Sequence, residues 1–131
     1  QYGNIYGIYH GKGSSPISIT IDGAELPAVY GAFESTVETP ENMTAVTISV
    51  KGDAAVESLY GLFRTYCTGG VLIDTEESVT IKSLYGLRSS TMDGDITENI
   101  NYNCDGNTFV TLATDGYYTG KIPVLSESRS N

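Results

Sequence analysis

The 131-residue chain is poor in the residues that most catalytic and metal sites require. It contains no tryptophan, one histidine, two cysteines and four prolines. The single histidine, His10, would have to serve any Ser-His-Asp or Cys-His site, and no serine or cysteine lies in a nucleophile-elbow motif. Carboxylates are plentiful, but no pair is singled out for glycoside hydrolysis. We therefore expect that the protein is not an enzyme, and a β-helix polysaccharide hydrolase is the least favoured alternative.

Basic residues and long apolar runs are scarce as well. Lysine and arginine number 7 against 16 aspartates and glutamates, which gives a formal net charge of -9. Nucleic-acid binding needs cationic side chains that displace phosphate counterions. A membrane-spanning helix needs about 20 consecutive apolar residues, and no segment approaches that length. The sequence predicts neither a nucleic-acid partner nor membrane insertion.

The two cysteines, Cys67 and Cys104, lack the short paired spacing of a zinc site. One possibility is a disulfide, which would indicate an oxidising compartment. The other is a pair of small apolar residues buried in the core. Asn42-Met43-Thr44 forms an N-glycosylation sequon, which is compatible with an extracellular location.

One acidic segment is a candidate calcium site. Asp93-Gly94-Asp95 resembles the middle of a calcium-binding loop, in which a glycine makes the turn. That alignment places Ile100 where the loop requires its bidentate glutamate, so an EF-hand loop is excluded. A weaker calcium site would use Asp93, Asp95 and Glu98, and the alternative is an ordinary Asp-Gly turn. No other cofactor is predicted.

A motif of the form apolar–Tyr–Gly–apolar occurs four times. Its tyrosines are spaced by 24, 30 and 25 residues, and they are Tyr6, Tyr30, Tyr60 and Tyr85. Periods of this length indicate a solenoid or a stacked array. Each repeat also alternates apolar with small polar residues, which predicts strands with one buried and one hydroxyl-lined face. We predict a single repetitive β domain over residues 1–125, with repeats near 4–27, 28–57, 58–82 and 83–107, and a polar tail over 126–131.

Two local features need separate interpretation. The glycine after each tyrosine is read as a corner where the chain bends tightly. Residues 54–63 also carry apolar side chains at helical spacing, but Gly61 interrupts the pattern and the other repeats lack it. The longest repeat requires an inserted loop, within either 34–42 or 52–57.

These patterns predict an all-β fold, either a short parallel β-solenoid or stacked β-arches. The repeated unit is longer than a hairpin strand and keeps its motif in register, which favours the solenoid. The alternative is an antiparallel β-sandwich whose hairpins carry similar corners.

The tyrosines are the main candidates for assembly or stacking. Stacked rung upon rung, the four repeat tyrosines would form an internal ladder of rings. Alternatively, they would form a surface row that stacks on sugars or on a neighbouring protomer. The uncharged, aromatic segment Gln1–Tyr9 has the character of an intermolecular strand. The complete predicted set is Tyr2, Tyr6, Tyr9, Tyr30, Tyr60 and Tyr85.

The strand alternation, the glycines and the repeated Tyr-Gly motif over residues 5–102 resemble those of repetitive extracellular β proteins. These are the β-solenoid surface adhesins and the amyloid-like proteins of sheaths and fibres. The resemblance implies an extracellular or cell-surface location. We expect a structural protein that self-assembles with its own copies through strand edges into a sheath, fibre or surface layer. The alternative is a carbohydrate-binding or adhesin module with glycans as partners.

Overall fold

The computed structural model of the chain describes residues 3–40, 43–92, 100–104, 108–109, 111–113 and 124–125. Within these residues the fold is all-β, and parallel sheets wind into a solenoid of about three turns. The solenoid prediction is thereby confirmed. Every strand pair in the described residues is parallel, so the antiparallel sandwich alternative is wrong.

Three parallel sheets form the walls of the solenoid, and each of the four repeats contributes one strand to each wall. The first sheet consists of β1 (Ile5–Tyr6), β4 (Glu25–Phe33), β7 (Ala55–Phe63), β10 (Thr80–Arg88) and β14 (Thr111–Ala113). The second consists of β2 (Lys12–Gly13), β5 (Thr36–Val37), β8 (Tyr66–Cys67) and β11 (Thr91–Met92). The third consists of β3 (Ile17–Asp22), β6 (Thr44–Lys51), β9 (Gly70–Thr75) and β12 (Ile100–Asn103). A separate pair joins β13 (Thr108–Phe109) to β15 (Val124–Leu125).

The register of the first sheet places the four motifs directly above one another. Tyr6 pairs with Tyr30, Tyr30 pairs with Tyr60, and Tyr60 pairs with Tyr85. The fifth strand of this sheet has Ala113 opposite Tyr85, so the Tyr-Gly motif is absent from the last turn. This register explains why the tyrosine spacing is visible in the sequence.

The core lies inside the three walls, and the second sheet contributes Val37 and Cys67 to it. Apolar side chains stack in columns such as Val29–Leu59–Leu84 and Ile19–Ile48–Ile73, and most of them are completely buried. The alternation that the sequence shows in the third sheet is the alternation between this core and solvent. Burial of these columns is the main source of stability.

The helical alternative for residues 54–63 is wrong, because residues 55–63 form strand β7. Sheet pairing with Glu25–Phe33 on one side and Thr80–Arg88 on the other satisfies the backbone of β7 and overrides the helical spacing. The extra residues of the longest repeat lie between β5 and β6, which overlaps the first of the two predicted insertion ranges.

Gly31, Gly61 and Gly86 lie inside strands, so the interpretation of these motif glycines as corners is wrong. The fourth, Gly7, directly follows β1. In the described residues, the glycines with positive φ are Gly23 and Gly52. A Cβ on Gly31 would clash with the carbonyl oxygen of Gly61 and lie 2.5 Å from Val46 Cγ1. Glycine is required at this position, because the backbone of the neighbouring strand and the side chains of the third sheet leave no room for a Cβ.

The tight corner instead lies four residues after the tyrosine of each motif. His10, Glu34, Arg64 and Ser89 occupy these equivalent positions with φ between 49° and 52°. Their left-handed backbone is uncommon for residues other than glycine. The four residues share no side-chain chemistry, so sequence alone does not reveal this corner.

Candidate functional site

The outer face of the first sheet carries two adjacent columns of aromatic rings, which we call the aromatic strip. In the tyrosine column, successive ring centroids lie 5.0, 4.6 and 4.7 Å apart, and the planes deviate from parallel by only 4–9°. In the second column, Tyr9 stacks on Phe33 at 5.2 Å and Phe33 stacks on Phe63 at 5.1 Å. The two columns meet edge to face, as in the 4.9 Å contact of Tyr30 with Phe33. Parallel pairing at strand spacing dictates both columns.

The ladder is therefore present, but it lies on the outer face, half-buried, while its chain neighbours Val29 and Leu59 point into the core. Rings within a column use both faces to stack on each other. A sugar stacks on an open ring face, so a column offers that surface only at its ends. Tyr9, which is 57% exposed at the first-turn end, is the most accessible ring of the strip.

Two arginine side chains lie over rings of the strip in its later turns. The Arg88 guanidinium lies 4.9 Å from the Tyr85 ring centroid, and that of Arg64 lies 5.3 Å from the centroid of Phe63. Arg88 pairs in register with Phe63, so a cation replaces a ring where the second column ends. Such contacts contribute about 0.5–1 kcal/mol at exposed sites.

The first three corner residues beside the strip alternate between basic and acidic side chains. His10 Nε2 lies 3.1 Å from Glu34 Oε1, and Arg64 Nη1 lies 3.4 Å from Glu34 Oε2. Exposed ion pairs add little stability, but a like charge in this column would be unfavourable. The column therefore helps to select the register between turns.

A column of hydroxyls behind the corner satisfies backbone groups that the bend removes from the sheets. Ser35 Oγ donates to the Phe33 carbonyl and accepts from the Gly11 N–H. Thr65 Oγ1 donates to the Phe63 carbonyl and accepts from the Ser35 N–H at 3.3 Å. Each hydroxyl thus links its own turn to the preceding one.

The first turn of the solenoid has an open edge. β1, β2 and β3 each form the outermost strand of their sheet. In the described residues no strand stacks on that side, so Ile5, Ile8 and Ile17 are only partly buried. Their neighbours one turn later, such as Val29 and Val46, are completely buried. The edge combines unpaired strand backbone with the cross-section of the apolar core.

The remaining predicted sites are the two cysteines and the calcium candidates. Cys67 lies in β8 and Cys104 directly follows β12; both are buried, and no disulfide joins them. Burial raises the pKa of the Cys67 thiol to about 12. The calcium candidates Asp93, Asp95 and Glu98 lie outside the described residues, as do Tyr2 and Asn42. Within the described part of the chain, no three His, Cys, Asp or Glu side chains are grouped to hold a metal ion.

Sequence reasoning did not identify the second aromatic column, the corner residues or the cation at Arg88. Phe33 and Phe63 follow their tyrosines by three residues, and this recurrence was the available signal. Tyr9 occupies the same position in the first repeat, where tyrosine replaces phenylalanine.

No protein-family model, curated protein or solved structure matches the chain. Among the described residues, no helix is long and apolar enough to cross a membrane.

Proposed function

We propose that the chain is an extracellular structural protein that assembles with copies of itself through strand edges, in a sheath, fibre or surface layer. The observation that carries this proposal is the open edge of the first turn. Solenoids that remain monomeric cover their terminal turns with polar caps. Here Ile5, Ile8 and Ile17 stay partly exposed beside unpaired strand backbone.

The first turn is also poor in charges that would repel another strand. Between Ile5 and Asp22, Lys12 and Asp22 are the only residues among lysine, arginine, aspartate and glutamate. Edge strands that avoid association often carry several charges. The net charge of -9 opposes uncontrolled association of whole molecules, so assembly is expected to strengthen at higher ionic strength.

The test is light scattering after size-exclusion chromatography of the wild-type chain and two lysine variants. Ile5→Lys places a charge on the open edge, whereas Thr80→Lys places the same charge on an exposed position of β10, in the interior of the same sheet. We expect wild type and Thr80→Lys to form assemblies and Ile5→Lys to remain near 14.0 kDa. A wild-type chain that is monomeric at every concentration and salt condition would contradict the proposal.

A carbohydrate-binding or adhesin module is the second candidate, and the exposed ring of Tyr9 favours it. Exposed Ser18 and Thr20 add a hydroxyl-lined face on the third sheet. A glycan array with the wild-type chain and Tyr9→Ala tests this candidate. Loss of a glycan signal in Tyr9→Ala would support it, and absence of any signal from the wild type would eliminate it.

A further inference from the structure

We infer that the open edge of β1 is a docking site for a polypeptide strand of the pattern apolar–aromatic–glycine–apolar, added parallel to β1. This inference rests on the proposed function and specifies the strand that the edge accepts. It follows from contacts that recur between successive turns of the solenoid. These contacts define which residues an added strand can place beside Tyr6 and Gly7.

The backbone contact fixes the register of an added strand. At the interface between the first and second turns, Gly7 N–H donates to the Tyr30 carbonyl oxygen at 2.9 Å. A strand added in the same parallel manner would donate an N–H to the Tyr6 carbonyl. The residue that makes this bond therefore takes the place that Gly7 takes over Gly31.

That residue must lack a Cβ. A Cβ on Gly7 would clash with the carbonyl oxygen of Gly31, and a Cβ on Gly61 would lie 2.5 Å from the carbonyl oxygen of Gly86. The obstacle is backbone in each case, which cannot rotate away as a side chain can. In an added strand the corresponding obstacle is the Gly7 carbonyl, so the edge selects glycine at this position.

The residue before this glycine is placed above the Tyr6 ring. Each later tyrosine stacks on the next at 4.6–5.0 Å with nearly parallel planes. An aromatic ring in the added strand would extend this column, which favours it over an aliphatic residue. Apolar residues on either side would cover the partly buried Ile5 and Ile8.

The polar contacts of the corner residues extend the match. His10 stands at the open end of the alternating column His10–Glu34–Arg64 and is 50% exposed. An added strand with a carboxylate four residues after its aromatic residue would place that carboxylate over His10. The repeat segment 25–34 of the chain itself has this arrangement, with Tyr30, Gly31 and Glu34.

A second folded copy could add the last strand of its first sheet, β14, but that strand lacks the aromatic–glycine pattern. Ala113 takes the tyrosine position there, and Thr114 follows it in the sequence. Ala113 carries no aromatic ring that could extend the tyrosine column. End-to-end stacking of folded copies, with β14 of one copy on β1 of the next, is therefore disfavoured. A Tyr-Gly repeat strand donated by another chain fits the edge of β1 better.

The experiment measures binding of fluorescein-labelled, end-blocked ten-residue peptides to the full chain by anisotropy. The peptides are residues 25–34, the same segment with Gly31→Ala, and residues 108–117, which place Ala113 and Thr114 at the two selective positions. We expect the first peptide to bind, and the other two to bind weaker by roughly tenfold or more. The Ile5→Lys chain should lose binding of the first peptide, and the Thr80→Lys chain should keep it.

Equal binding of the three peptides, or no binding of the first, would overturn the inference. Neither result would remove the proposed function, because self-assembly of the chain is measured separately by light scattering. Conversely, a chain that binds the first peptide selectively but never self-associates would refute the proposed function and leave the edge specificity standing. Circular dichroism of both lysine variants establishes that each remains folded.

Discussion

Replacement of Gly31 by alanine is the sharpest test of how the motif glycine works. In an ordinary strand this change stabilises, because alanine loses less conformational entropy on folding, by about 0.4–1 kcal/mol. Here the added methyl would meet the Gly61 carbonyl oxygen and lie 2.5 Å from Val46 Cγ1 and 3.3 Å from Ile48 Cδ1. Overpacking of this kind costs about 1–3 kcal/mol, and the rigid carbonyl argues for the upper part of that range.

The net expectation for Gly31→Ala is a destabilisation of about 1–2 kcal/mol, obtained by offsetting the overpacking with the entropy term. The assay is urea unfolding followed by circular dichroism. Gly3→Ala is the matched control, because nothing lies within 4 Å of a Cβ built on Gly3. The control should change stability by less than about 0.5 kcal/mol. A Gly31→Ala variant as stable as the wild type would refute the close-approach explanation.

Three further predictions concern the corner and the core. Ser89→Gly, which removes a side chain from a positive-φ position, should stabilise by about 0.5–1 kcal/mol in thermal unfolding, and a lower Tm would contradict the strain argument. Thr65→Val should destabilise by about 1–3 kcal/mol, because the buried Ser35 N–H loses its acceptor, and an unchanged urea midpoint would show that this bond is dispensable. Cys67 should resist thiol reagents at pH 8, because its pKa of about 12 keeps the thiol protonated and burial blocks access. It should react readily in denaturant, and rapid labelling of the native protein would refute the buried environment.

The sequence predicted the architecture because the solenoid repeats its chemistry at a visible interval. Tyr30 and Tyr60 identify equivalent strand positions, and the alternation of Ile17–Ile21 identifies a strand with one buried face. Parallel in-register pairing then follows, since like residues stack upon like. The same logic does not locate the last strand, because Ala113 stands where the motif has tyrosine.

The parts that escaped prediction depend on backbone geometry rather than on residue type. Gly31 was interpreted as a corner because glycine often serves that purpose, whereas here its missing Cβ permits contact between sheets. The true corner uses residues as different as Glu34 and Ser89, which share only a positive φ. Whether Tyr30 points inward or outward depends on local irregularity of the strand, which period-two reasoning does not capture.

Hydrogen–deuterium exchange of the wild-type chain at low and high concentration tests the central claim most directly, since it locates the surface through which copies associate. If the open edge is that surface, peptides covering Ile5–Asp22 should gain protection as concentration rises, while peptides from β7 and β10 should not change. Protection that appears elsewhere, or no concentration dependence in a chain that scatters as an assembly, would contradict assembly through the first turn.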